Sequence, residues 1–206
     1  MTKEYSLRVE KNYCPDLLTW KELEYLINIR PLLSDNRVRV LNKKRYQWTN
    51  SSWSKDPNCW PSALLRSLME ETVCYLSDMS RCTKKVNDFA HKLEKEYSLS
   101  HDAHVYVCLN PNLDHPFGIH FDDNDNAIVQ CEGITNFKVW DRVEGKNHSH
   151  LSMDKSPLVD VDMNPGDAIF IPRNFPHLAT SKTRRLSVSF PCATTDSFEE
   201  RGWVEF

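Results

Sequence analysis

Glycine is scarce in this sequence and unevenly placed. Five of the 206 residues are glycine, and all five lie at or beyond Gly118, so the chain has two textures. The seven cysteines (Cys14, Cys59, Cys74, Cys82, Cys108, Cys131 and Cys192) include no CxxC pair. An odd, scattered set suits reduced thiols in a cytoplasmic protein better than a zinc knuckle or a disulfide framework. No apolar run approaches the ~20 residues of a membrane span, and Met1 to Tyr5 opens without the apolar run of a signal peptide. A net charge of −3 gives no global reason for a nucleic-acid or anionic-membrane partner. The local basic cluster Arg37, Arg39, Lys43, Lys44 and Arg45 reads as a solvated face. There is no internal repeat and no low-complexity segment.

What remains is an ordinary globular composition, with 40% hydrophobic and 27% charged residues, expected as a single domain over residues 1–206. Residues 1–100 read as mainly helical. Thr19-Trp20-Lys21-Glu22 has the form of a capping box, and Trp20, Leu23 and Ile27 then share one face until Pro31 stops the helix. Residues 37–41 alternate like a short strand. Residues 47–59 are polar and turn-rich but carry Trp48 and Trp53, with Trp60 just after. Aromatic packing at one end of a core is the simplest reading of this loop, and a substrate-binding surface the sharper one. Pro61 fits the first turn of a helix through Leu64, Leu65 and Leu68. Residues 72–76 read as a strand. Val86, Phe89, Ala90 and Leu93 mark the clearest helix, over residues 81–97.

From His104 the period changes to two. Strands are expected at 104–109, 118–122, 126–131, 136–140, 158–163, 168–171 and 185–190, short and without intervening helices. That is an α+β chain with a mainly β core, an antiparallel sandwich or barrel over residues 101–195. The polar loop 142–157 is expected to be its most mobile part.

Chemistry concentrates in Phe117-Gly118-Ile119-His120-Phe121-Asp122. On a strand His120 and Asp122 share a face, which sets an imidazole beside a carboxylate. Alone this is a weak signal, since an H-x-D triplet arises by accident in roughly one such chain in two. A second segment strengthens it. After the turn Asn164-Pro165-Gly166-Asp167 comes the apolar run Ala168-Ile169-Phe170-Ile171, then Pro172-Arg173-Asn174-Phe175-Pro176-His177. Two prolines stiffen the approach to His177, making it the candidate third ligand of one metal ion. The alternative is that these histidines are structural. His148 and His150 sit in the polar loop and read as incidental.

Gly166-x5-Pro172-x4-His177 resembles the second cupin motif. The His120/Asp122 segment, followed by Gln130-Cys131-Glu132-Gly133 and Phe137-Lys138-Val139-Trp140, resembles the JmjC-type cupin oxygenases, most closely their ribosomal-oxygenase branch. The resemblance covers about residues 104–191 and implies a double-stranded β-helix with a helical N-terminal region packed on it. It also implies an Fe(II)- and 2-oxoglutarate-dependent oxygenase that consumes O2 and hydroxylates a protein or amino-acid side chain. His120, Asp122 and His177 would be the iron ligands and the catalytic set, a facial triad that leaves open positions.

The far carboxylate of 2-oxoglutarate then needs a fixed cation. The family usually has Lys or Arg two residues after the glycine of Q-x-x-G, where this chain has Thr135, able to supply a hydroxyl but no charge. Arg185, on the polar face shared with Ser187 and Ser189, is one replacement; Lys138 is the other, although its register turns it outward. Asn126 matches a family position that can bond the cosubstrate, and Cys108 stands where the ribosomal branch often has Tyr. Asp123 and Asp125 read as a solvated loop. Two other readings stay open: a cupin metalloenzyme that does not use 2-oxoglutarate, and a non-catalytic binding module.

Overall fold

A computed structural model describes residues 5–28, 38–41, 47–48, 62–111, 113–144 and 151–192. The loop carrying Trp53 and Trp60, together with His148 and His150, lies outside the described residues, as does Pro31. Helices and strands come in the order β1 (Arg8–Glu10), α1 (Trp20–Asn28), β2 (Val38–Leu41), β3 (Gln47–Trp48), α2 (Ser62–Glu71), β4 (Cys74–Leu76) and α3 (Lys84–Tyr97). Strands β5 (His104–Cys108), β6 (Leu113–Asp114), β7 (Asn126–Glu132), β8 (Thr135–Val139), β9 (Val159–Met163), β10 (Ala168–Ile171), β11 (His177–Ser181) and β12 (Arg185–Pro191) follow.

The helices end where local chemistry ends them. Thr19 and Glu22 form the reciprocal capping box: the Thr19 N–H donates to Glu22 Oε2 at 2.8 Å and the Glu22 N–H to Thr19 Oγ1 at 3.2 Å. Thr83 caps α3 by accepting the Val86 N–H at 3.2 Å, and Ser98, left-handed at φ 57°, returns its N–H to the Glu94 carbonyl. All described helices precede Ser98, but four short strands are interspersed with them, so the first hundred residues are less helical than expected. These strands extend the β core: β1 pairs with β10, and β4 joins β2 to β5.

The strands form two antiparallel sheets. The larger runs β1-β10-β7-β12-β5-β4-β2-β3 and the smaller β6-β11-β8-β9. The outward face of the larger sheet carries Val105, Val107, Val129, Phe170, Leu186, Val188 and Phe190, packed with Leu23, Leu26, Val86, Phe89 and Leu93 of the helices. Each such side chain, fully buried, contributes about 1.5–3 kcal/mol. Its inward face meets the smaller sheet through Ile128, Ile169 and Ile171 against Phe137, Val139, Met163 and Ala179. Beside that second apolar cluster the inward face turns polar, with Asn126, Gln130, Arg185, Ser187 and Ser189 buried on one sheet and Thr135, His177 and Ser181 on the other.

Two differences from the sequence expectation bear on the site. Residues 118–122 form no strand. They make a single antiparallel bridge, His120 to His177, because Gly118 at φ 60° closes a turn onto the His115 carbonyl and the Asp122 carbonyl accepts from Asn174 N–H. Conversely, His177 opens β11, a strand not among those expected, and pairs with Val139 of β8.

Candidate metal centre

The bridge brings His120 and His177 together by two backbone bonds, His177 N–H to His120 O at 2.7 Å and His120 N–H to His177 O at 3.1 Å. Each imidazole is then oriented in the same way. Nδ1 of His120 donates to the Gly118 carbonyl at 2.9 Å, and Nδ1 of His177 to the Phe175 carbonyl at 3.0 Å. A carbonyl partner assigns the ring proton to Nδ1 and leaves Nε2 unprotonated, the state a metal ligand needs. The ring centroids are 4.4 Å apart.

Asp122 completes the group. Its Oδ2 lies 3.8 Å from His177 Nε2, and one ligand atom from each of His120, Asp122 and His177 lies within 4.8 Å of the others. Both histidines are buried and Asp122 is partly exposed, so the cluster opens to one side. Asn126 holds the carboxylate: its Nδ2 donates to Asp122 Oδ2 at 2.8 Å, while Ser189 Oγ donates to Asn126 Oδ1 at 3.0 Å. A nitrogen–nitrogen–carboxylate donor set of this kind fits a divalent transition ion. Its outer bonds through Gly118, Phe175, Asn126 and Ser189 supply the orientation such sites need.

A second group sits deeper between the sheets. Arg185 is 2% exposed, packs within 5.6 Å of the Tyr106 and Phe137 rings, and donates from Nε to Ser187 Oγ at 2.9 Å. Burial pulls its pKa down to about 10, opposed by Tyr106 and Cys108, so it remains a cation at neutral pH. Arg185 Nη1, Thr135 Oγ1, Ser181 Oγ and Gln130 Oε1 are buried polar atoms with no hydrogen-bond partner among the described residues. Each such orphan costs about 1–3 kcal/mol. Thr135 and Ser181 are cross-strand partners, and Gln130 pairs in register with Ser187. These atoms therefore share one interior, and a carboxylate suits its cation and hydroxyls.

The Q-x-x-G segment has a structural task here. Gln130 Nε2 donates to the carbonyls of Glu132 and Gly133. Gly133, at φ 76°, lies so near β12 that a Cβ would fall 1.8 Å from the Arg184 carbonyl oxygen. The β7–β8 turn is thus clasped against the start of β12, next to Arg185. Lys138 points outward as its register requires and pairs with Asp160 at 3.6 Å. Asp123 is exposed, and Asp125 accepts the Arg173 N–H.

Sequence reasoning missed His115, Tyr106 and Ser181. His115 is buried, and its ring stacks on His120 at 5.2 Å with a 23° interplanar angle. Burial first, then the charges of His120, Arg185 and His177, hold His115 well below the usual histidine range. Tyr106 on β5 is kept a neutral phenol chiefly by burial, reinforced by Asp122 and Tyr75. Ser181 was hidden because β11 itself was not expected.

A family model described as JmjC domain matches residues 79–199, more than half of the chain. Ribosomal oxygenase 1 of Danio rerio is 28% identical over 119 residues, which cover 54% of this chain and 21% of that protein. The bifunctional lysine-specific demethylase and histidyl-hydroxylase NO66 of Drosophila persimilis is 26% identical over 113 residues, covering 52% and 15%. The chain thus spans about a fifth or less of the length of these curated relatives. Among solved structures, E. coli ycfD superposes with a TM-score of 0.64 at 15% identity, over 99% of this chain and 62% of that one. E. coli YcfD, described as a ribosomal oxygenase in complex with cobalt and 2-oxoglutarate, superposes with a TM-score of 0.61 at 14% identity, over 98% and 55%. These likenesses show a shared fold. Among the described residues no helix is long and apolar enough to cross a membrane.

Proposed function

The chain belongs to the JmjC domain family, and from that premise we propose that it is an Fe(II)- and 2-oxoglutarate-dependent oxygenase. It would hydroxylate a protein or amino-acid side chain, with release of succinate and CO2. The observation that carries this reading is the pairing of two features in one interior. His120, Asp122 and His177 present three ligand atoms to one point, and the buried Arg185 keeps a nitrogen without a partner among the described residues.

In this reading His120 Nε2, His177 Nε2 and an Asp122 oxygen hold iron, which supplies, with O2 and 2-oxoglutarate, the oxidising chemistry of the reaction. The rest is the work of the polypeptide. Asn126, fixed by Ser189, keeps the Asp122 carboxylate turned toward the two imidazoles. Arg185 binds the far carboxylate of 2-oxoglutarate, with Ser187 steering its guanidinium and Thr135 adding a hydroxyl. Phe137, Val139 and the isoleucines of the second apolar cluster wall this interior and keep it dry. The partly exposed side of Asp122 is where a substrate side chain would approach. A peptide substrate is favoured by the relatives, whose names include a histidyl-hydroxylase and a ribosomal oxygenase.

We assign the two sheets to a double-stranded β-helix, with residues 101–195 as the oxygenase core of a single domain and residues 1–100 as the N-terminal region packed on it. The free, scattered thiols support a cytoplasmic setting.

Anaerobic titration with Fe(II) and then 2-oxoglutarate tests the proposal. A metal-to-ligand charge-transfer band should develop in the wild type and vanish in His177→Ala, while His150→Ala keeps it. Iron binding without a band sinks the proposal. Succinate release across a panel of ribosomal-protein peptides and free amino acids then identifies the substrate.

A further inference from the structure

Between the triad and Arg185 runs a wall of three rings and a cation in contact. His120 stacks on His115 at 5.2 Å, His115 meets Tyr106 at 5.7 Å, and Tyr106 lies 5.5 Å from the Arg185 guanidinium carbon. These contacts link the triad to Arg185 through a continuous row of side chains. His115 is the member nearest the triad and is firmly held. Its N–H donates to the Ala179 carbonyl at 3.0 Å, its own carbonyl accepts the Gly118 N–H at 2.8 Å, and Phe117 packs edge-on at 4.8 Å. It is 5% exposed and is not one of the three clustered ligands.

Its hydrogen bonding sets its chemistry. Nδ1 accepts the Phe117 backbone N–H at 3.4 Å, which puts the ring proton on Nε2. Among the described residues neither that Nε2–H nor the Tyr106 hydroxyl makes a hydrogen bond. Two neutral donors thus line the path from the metal cluster to the fixed cation. Carboxylate oxygens, each with two acceptor positions, complement such donors.

We infer that His115 binds the cosubstrate, donating from Nε2 to the metal-proximal carboxylate of the 2-oxo acid, while Tyr106 supplements Arg185 at the far carboxylate. This assignment rests on the oxygenase reading. It differs from mere packing behind His120, which would use the ring of His115 but not its proton.

The test separates ring from donor. His115→Phe keeps the stacked ring and loses the N–H; His115→Gln loses the ring and keeps an amide donor at similar reach. In anaerobic titrations of the iron-loaded proteins, His115→Phe should bind 2-oxoglutarate about tenfold more weakly, with a displaced charge-transfer maximum. His115→Gln should recover most of the affinity. His115→Phe with wild-type affinity and an unmoved maximum overturns the assignment, as does His115→Gln no better than His115→Phe.

Wild-type protein loaded with Zn(II) gives an independent check that needs no variant. The His115 Nε2–H resonance should move downfield when 2-oxoglutarate is added, and a resonance that stays in place overturns the inference. A wild-type iron complex without a charge-transfer band overturns the oxygenase reading and this inference together; a wild-type band unaffected in His115→Phe overturns this inference alone.

Discussion

Strand β12 shows two ways of filling a protein interior. Leu186, Val188 and Phe190 face the helices and join a close-packed apolar cluster. Arg185, Ser187 and Ser189, one residue out of phase, face the smaller sheet and are buried as well. The first face earns stability from area removed from water. The second gives much of that up, since among the described residues Arg185 Nη1 and the Thr135 and Ser181 hydroxyls have no hydrogen-bond partner. A face that carries such a cost is held for what it binds. The two faces should therefore respond in opposite ways to substitution.

The largest loss of stability is expected from the apolar face. Phe190 is fully buried and packs against Phe89 at 4.9 Å. Phe190→Ala should cost about 3–5 kcal/mol of unfolding free energy, measured by urea denaturation. A loss under 1 kcal/mol would mean that the outward face is not the stabilising one. On the inward face, Arg185→Met replaces a desolvated cation by an apolar chain of similar reach. The midpoint should hold or rise, while 2-oxoglutarate affinity falls about a hundredfold, near 2.7 kcal/mol. A variant that loses stability and keeps affinity would reverse the comparison.

A smaller effect is expected one layer out from the metal. Asn126 touches no metal in the proposed site but holds the Asp122 carboxylate from below. Asn126→Ala should weaken Fe(II) binding about 10- to 100-fold, read by anaerobic metal titration, with the charge-transfer band still forming once iron is saturating. Unchanged iron affinity would return Asn126 to the role of a strand-start residue.

The outward face was the more legible of the two in the sequence. Alternation of large apolar residues located β7, β10 and β12 within a residue or so, and i, i+3, i+4 spacing located α3, because burial against a neighbour is the same requirement everywhere along an element. The candidate metal ligands stood out for another reason: His120, Asp122 and His177 sit among Gly118, Pro172 and Pro176, whose backbone constraints mark fixed positions. The inward polar residues were only partly readable. Arg185 and Ser187 stood out against Leu186 and Val188. Ser181 and Tyr106 carry no local mark, since an inward serine or tyrosine spells the same as an outward one. His115 was invisible because its contacts with Tyr106, the His120 ring and the Ala179 carbonyl arise only in the fold. The segment at residues 118–122 was misread as a strand because alternation persists there while the ladder reduces to one bridge.

The smallest expected effect lies outside the site and tests whether every buried polar group answers to ligand. His101 is 4% exposed, but its needs are met within the fold. Its Nδ1 donates to the Leu99 carbonyl at 2.8 Å, and its Nε2 accepts the Tyr5 hydroxyl at 2.8 Å. Burial lowers its pKa, against the Leu99 bond and the charges of Glu94 and Asp125, which act to raise it. The neutral form is therefore the folded form. The stability it carries is intact above the unfolded value of about 6.5 and is lost as pH falls from there toward the lowered folded value. The slope cannot exceed one proton, about 1.4 kcal/mol per pH unit. Protonation would also turn Nε2 into a second donor facing the Tyr5 hydroxyl, loosening residues 5–10 from the sheet. His115 contributes a slope of the same sign, so the informative quantity is the difference between wild type and His101→Gln in urea unfolding from pH 8 to 5. His101→Gln should be the less pH-dependent of the two, while 2-oxoglutarate binding at pH 7.5 stays equal. Equal slopes would show that Tyr5 and Leu99 hold His101 whatever its charge, and would leave the acid sensitivity of the fold to the inward face alone.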